Sequence, residues 1–196
     1  MTIRIHPEDH IEILHQIESQ WYNTAASAIV SYAANYADER FYAGAFWLCY
    51  VDYTMFGVPC FALNTESHLV NCDDEDRDSS IWSPPEWQYD VIDKAIETMS
   101  PYYRALTHSL SNKDEATWYA AIEEHWQLLA RVSRRLTHDA RNRSGRFSES
   151  LLPSDFVVGL LEEREGEPLF SRLVRASIAP EILTTLPSPS WEAAED

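Results

Sequence analysis

Phe41-Tyr42-Ala43-Gly44-Ala45-Phe46-Trp47-Leu48-Cys49-Tyr50-Val51 is the stretch that decides the fold. It is dense in aromatic and apolar residues and reads as a strand over 41–51. Asp52-Tyr53-Thr54-Met55-Phe56-Gly57 follows as a turn, and Val58 to Leu63 reads as a second strand. The two form an antiparallel hairpin with a loop longer than two residues. Pro59 sits at an edge or in the strand's first turn, because it has no N–H to give to a ladder. Nearly unbroken hydrophobicity over 41–51 implies burial on both faces, so helices cover the sheet.

The segments around the hairpin supply those helices. Pro7-Glu8-Asp9 has the proline and acids of a first turn. Ile11, Leu14, Ile17, Trp21, Ala25, Ala28 and Tyr32 recur at spacings of three and four, which predicts a long helix ending near Asp38. Asn64 or Thr65 is placed to cap a short helix that runs through Cys72. In Trp82-Ser83-Pro84-Pro85-Glu86-Trp87, Ser83 and Glu86 have capping-box spacing, and Pro84 falls at the first helical position. Trp82 and Trp87 then stand where a hydrophobic staple would put them. The predicted helix continues its buried face through Val91, Ala95 and Ile96, restarts or kinks at Ser100-Pro101, and ends near His108. Asn112 and Glu115 form a second capping box. It opens a helix whose apolar stripe is Trp118, Ile122, His125, Leu129, Val132 and Leu136.

Asp155 to Leu161 reads as a third strand, Leu169 to Ile178 as a short helix, and Pro180-Glu181-Ile182-Leu183 as a further turn. The predicted class is α+β. A small, mainly antiparallel sheet packs against several long helices in a single domain over 1–186, followed by a loose acidic tail over 187–196.

The chain has 196 residues, enough to bury a core without staples. Its 32 Asp and Glu against 15 Lys and Arg give a net charge of −17. Residues 1–100 hold 17 acids and 4 bases, a net of −13, while residues 101–196 hold 15 acids and 11 bases, a net of −4. Such acidity repels phosphate backbones and anionic membranes, so neither nucleic acid nor membrane is the expected partner. A basic protein surface fits better. Met1 to Asp9 has no signal-peptide core, and the apolar run near Phe41–Tyr50 is too short to span a bilayer. Three cysteines, Cys49, Cys60 and Cys72, show no framework spacing. The expected location is therefore the cytoplasm.

Each chemically suggestive group also has a plainer explanation. His68 and Cys72, four apart with Cys60 upstream, lack the further ligands that zinc needs, and they read as ordinary buried or incidental groups. Asp74, Asp76 and Asp78 have the spacing of a calcium loop's first ligands. Ser79 replaces its glycine, however, and Pro85 its final glutamate. There is no G-x-S-x-G and no glycine-rich phosphate loop, with only 5 glycines in the chain. His125 lies on an apolar stripe, where a hydrogen-bonded core histidine is the plain reading. No catalytic residue, metal or cofactor is expected. The run Arg131, Arg134, Arg135, Arg141, Arg143 and Arg146 reads as self-neutralisation or as a dimer contact rather than an anion site.

Phe41-Tyr42-Ala43, Asn64-Thr65-Glu66 and Trp82-Ser83-Pro84-Pro85-Glu86-Trp87, in that order and spacing, resemble a bacterial family, domain of unknown function 4303. The resemblance covers most of residues 8–185, with its motifs inside 41–87. It implies a single domain of this length and transfers no catalytic residue. The loop before Trp82 is more acidic than the pattern, and the 131–146 arginine region is not part of it.

Small acidic families of this sort often look like immunity proteins encoded beside secreted antibacterial toxins. By that analogy the chain is expected to be such a protein, neutralising a cognate toxin with a basic surface. The candidate contact patch is Asp73, Asp74, Glu75, Asp76 and Asp78, for electrostatic steering, with Trp82 as an aromatic anchor. Two other classes compete with it. One is a hydrolase-like enzyme using carboxylates or His68 near Asn64 and Glu66. The other is a homo-oligomeric scaffold, for instance a homodimer sharing the 118–136 helix.

Overall fold

The computed structural model describes residues 10–47, 55–72, 77–162 and 167–186, without the side chains of 77–79, 92, 94, 167 and 168. The expected residues Cys49, Asp73, Asp74, Glu75 and Asp76, the side chain of Asp78 and the tail 187–196 lie outside the described residues. The class is α+β, as the sequence predicts. A four-stranded mixed sheet packs against several long helices in one domain.

The hairpin is present: β1 (Phe41–Trp47) pairs antiparallel with β2 (Cys60–Thr65). In order along the chain, α1 is His10–Asn35, α2 Glu66–Val70, α3 Arg77–Trp82, β3 Tyr89–Asp90, α4 Ile92–Leu110, α5 Glu115–Arg141, β4 Val157–Leu161, α6 Glu167–Ser177 and α7 Pro180–Leu183. The sheet order is β3-β2-β1-β4, and the β1–β4 pair is parallel. Burial of β1 between two neighbours explains its unbroken hydrophobicity.

The two faces of the sheet differ in bulk. On one, Phe46, Phe61, Leu63, Val158 and Leu160 join the main core with α1, α4 and α5. Phe46 stands edge-on to Trp21 at 5.1 Å between ring centroids. A methyl group on Gly44 would lie 3.1 Å from side-chain atoms of both Leu63 and Phe61, so any larger residue on this crowded face would have to push them aside. On the other face lie Ala43, Ala45, Ala62, Val157 and Leu161. A bulge at Tyr42 makes the switch: Phe41 opposes Thr65, yet Ala43 opposes Asn64. Phe41 therefore packs in the main core, while Tyr42 turns to the small-residue face.

Several local expectations are corrected. The Ser83–Glu86 capping box does not form, and Pro84–Glu86 is one 3-10 turn. The Glu86 N–H donates to the Ser83 carbonyl at 3.0 Å, so the Ser83 hydroxyl has no cap bond to accept. Trp87 is then extended, and Tyr89–Asp90 pairs with Leu63 and Ala62 of β2. The open edge of β2 and the aromatic contacts of Tyr89 with Tyr32, Tyr36 and Phe41 outweigh helix continuation. The helix begins only at Ile92, and Ile96 is exposed. It then runs unbroken through Pro101, which is exposed, as is Glu97, whose carbonyl loses its helical donor.

The cap of α5 is Asp114 rather than Asn112. Its carboxylate accepts the Thr117 N–H at 2.8 Å and the Thr117 hydroxyl at 2.6 Å. The turn that closes α4 consumes Ser111 and Lys113 N–H, which moves the start two residues on. Finally, α2 stops at Val70, short of Cys72. Thr65 is its N-cap by backbone geometry alone, with its hydroxyl on Ser67. The six stripe residues of α5 are all buried, and the helix packs on α1, β4 and α6 of the same chain.

The outer edge of β4 is sealed by helix hydroxyls. Val158 N–H donates to Thr137 Oγ1 of α5 at 2.8 Å, and Leu160 N–H donates to Ser177 Oγ of α6 at 2.9 Å. Thr137→Val keeps the shape but leaves a buried N–H unpaired, as does Ser177→Ala. Each is expected to lower unfolding free energy by about 1–3 kcal/mol in urea titrations. A loss below about 0.5 kcal/mol would mean that the edge finds another acceptor.

The main core also holds a buried polar chain. Trp21 Nε1–H donates to Tyr103 Oη at 2.8 Å, and Tyr103 Oη meets His125 Nε2 at 2.7 Å. Burial drives the His125 imidazole down to about 3 from 6.5. As pH falls below 6.5 the unfolded chain takes a proton that the folded chain refuses until about 3, so stability drops across that window. His125→Gln is expected to flatten the pH dependence of stability there, by up to about 1.4 kcal/mol per pH unit. Equal slopes for both proteins would show that His125 is protonated in the fold.

Candidate functional site

The small-residue face of the sheet is only partly covered. Ala43 and Ala45 of β1 and Val157, Gly159 and Leu161 of β4 form the floor of a cleft of about 350 Å3. The parallel register of β1 and β4 places these residues side by side: Ala43 by Val157, Ala45 by Gly159 and Trp47 by Leu161. Trp82 and Trp87 make one wall, and Ile178 with Leu186 makes the other. The space exists because the floor carries methyl groups and a bare Cα where the opposite face carries rings.

Asn64 holds the Trp wall in place. It is fully buried on β2. Its Nδ2 donates to Tyr42 Oη at 2.8 Å and to the Ser80 carbonyl at 3.3 Å, while its Oδ1 accepts Thr65 N–H at 3.0 Å. The same Ser80 carbonyl accepts Trp87 Nε1–H at 2.9 Å. Asn64 is thus a bridge from sheet to wall rather than a helix cap. Trp82 is 9% exposed and sits edge-on to Phe170, so it offers a partner a cleft wall rather than a protruding ring.

An ion triad marks the rim. Arg40 Nη1 donates to Glu66, and Arg40 Nη2 meets both oxygens of Asp155 at 2.8 and 2.9 Å. The hydrogen bond to Asp155 raises the guanidinium above its ordinary range, against partial desolvation and with help from Glu66. All three side chains are more than 40% exposed, so the triad adds little stability. It fixes charge at the mouth of an apolar cleft.

The predicted site residues therefore separate into two groups. Asn64, Glu66, Trp82 and Trp87 converge on one cleft or its wall, and Tyr42 joins them. Thr65 is buried at the end of β2, and Ser83 and Glu86 belong to the 3-10 turn. His68 does not line the cleft, and its Nε2 is buried without a hydrogen-bond partner. Cys72 Sγ lies 3.3 Å from both the His68 carbonyl and Ser80 Oγ. Among the described residues no group of three His, Cys, Asp or Glu could hold a metal ion, and no helix is long and apolar enough to cross a membrane. Sequence reasoning missed Arg40, Asp155 and Gly159. They are distant in sequence, and only the parallel β1–β4 pairing unites them.

The arginine run lies elsewhere. Arg131 binds Glu18 and Glu124, Arg135 lies over the Tyr22 ring at 3.9 Å and 3.7 Å from Asp139, and Arg141 donates to the Ser154 carbonyl. Burial would raise the Asp139 carboxyl, but hydrogen bonds from Tyr22, Ser144 and His138 and the charge of Arg135 outweigh it and hold it low.

Asn64→Leu removes the bridge and takes away the acceptor of the Thr65 N–H. It is expected to lower stability by about 2–4 kcal/mol and to shift the Trp87 indole N–H resonance. An unmoved Trp87 signal would show that the wall stands without it.

Comparison with curated proteins and with solved structures gives no match. A family model described as "Domain of unknown function (DUF4303)" matches residues 22–139. The match contains β1, β2, the Asn64 bridge and the Trp wall, and it stops before β4, so Asp155 and the β4 half of the floor fall outside it. Covering more than half of the chain, it establishes that this protein belongs to the DUF4303 family.

Proposed function

We propose that this chain is a non-catalytic immunity protein of the bacterial cytoplasm, which binds a cognate secreted toxin and blocks it through an acidic surface. The observation that carries this reading is the distribution of charge. Of the net −17, residues 1–100 hold −13, with Asp73-Asp74-Glu75-Asp76-Arg77-Asp78 as the densest acidic run. Three cations of the second half pair with the chain's own carboxylates: Arg131 with Glu18 and Glu124, Arg135 with Asp139, and Arg172 with Glu123. An acid surplus is left for an external partner, and it would speed encounter with a basic toxin face. The proposed contact segment is Asp73–Asp78.

Co-expression with the product of the adjacent gene, followed by pull-down and a growth-protection assay, tests the reading. A stable complex and protected growth are expected. Converting Asp73, Asp74, Asp76 and Asp78 to Asn should slow association and flatten its salt dependence. Unchanged association would reduce the acidity to a solubility device. Absence of both complex and protection would remove the immunity reading.

A further inference from the structure

The cleft on the small-residue face has chemistry of its own, independent of the acidic run. The geometry points to it as a binding site for a small organic cation with an apolar body, of the arylalkylamine class. Its volume of about 350 Å3 is that of a small-ligand site. It is roughly twice the ~150 Å3 of an engineered cavity that admits benzene, so a ring with a short chain fits.

The floor excludes a polar body. Ala43, Ala45 and Gly159 offer no side-chain polar atom, and hydroxyls set against them would lose their hydrogen bonds to water. Two polar groups of the lining residues are engaged: Trp87 Nε1–H by the Ser80 carbonyl, and Tyr42 Oη by Asn64. The Trp82 and Trp87 wall suits a flat ring or an alkyl chain.

The rim selects the head group. Among the described residues, the cleft is lined by one cation, Arg40, and two carboxylates, Glu66 and Asp155. Both terminal nitrogens of Arg40 are already committed to those carboxylates. An anion would meet two carboxylates and a guanidinium whose two terminal nitrogens each already donate to one of them. An ammonium would meet a net charge of −1 and the carboxylate lone pairs left open to solvent, since Glu66 and Asp155 are 53% and 58% exposed.

Two probes with the same body and opposite heads decide it: 4-phenylbutylamine and 4-phenylbutyrate, titrated separately into the full-length protein. The readout is the assigned indole N–H resonances of the tryptophans. The amine is expected to move the Trp82 and Trp87 signals saturably, and the carboxylate to bind about tenfold more weakly or less. In the double variant Glu66→Gln with Asp155→Asn, the rim charge changes from −1 to +1 and the preference should reverse. Those residues are exposed, so the variant is expected to fold. If it does not, the comparison on the unaltered chain decides alone. Equal binding of the two probes, no response to the amine up to its solubility limit, or shifts confined to other tryptophans would each overturn the assignment.

Discussion

Strand β1 carries its bulk on one side, and the rest of the molecule is arranged around that asymmetry. Phe46 and the crowding at Gly44 commit one face to the rings and aliphatics of α1, α4 and α5. Ala43 and Ala45 leave the other face shallow, and β4 continues it with Gly159. One extra residue at Tyr42 sets which side chain goes where. Without that bulge, the alternation of the strand would send Phe41 to the small-residue face and away from Tyr89. The cleft is thus a consequence of side-chain size on two neighbouring strands.

Several polar groups of the interior join elements far apart in sequence. Asn64 ties the sheet to the segment bearing Trp87, Thr137 and Ser177 tie α5 and α6 to the edge of β4, and Tyr103 links Trp21 of α1 to His125 of α5. Such bonds add modest stability when made and are expensive when broken, so they fix one arrangement of helices around the sheet. The surface ion pairs act differently. The Arg40 triad and the Arg131 pairs are exposed, and they place charge rather than hold the fold.

Much of the architecture was legible in sequence because it depends on periodicity. The stripes of α1 and α5, the hairpin and the 155–161 strand all follow from apolar spacing, and each is present within a few residues. What failed was local chemistry overruled from a distance. Ser83 and Glu86 have the spacing of a capping box, but the open edge of β2 draws the chain after Trp87 into a strand. Asn112 and Asp114 are both good caps, and the turn closing α4 decides between them. The cleft was half legible. Asn64, Glu66, Trp82 and Trp87 stood out as motif residues, though as caps, a staple and an aromatic anchor. Arg40 and Asp155, 115 residues apart, have no local signal of partnership. A parallel strand pair formed across four helices of sequence, α2 to α5, cannot be read from either strand alone.

The central claim is that the small-residue face leaves real space between β1, β4 and the Trp wall. A crystal structure determined under xenon pressure tests this directly, because xenon settles in apolar space of this kind. The account predicts a xenon peak over Ala43, Ala45 and Gly159, bounded by Trp82 and Trp87. An empty map with a Trp82 or Trp87 ring lying directly on Ala45 would contradict it.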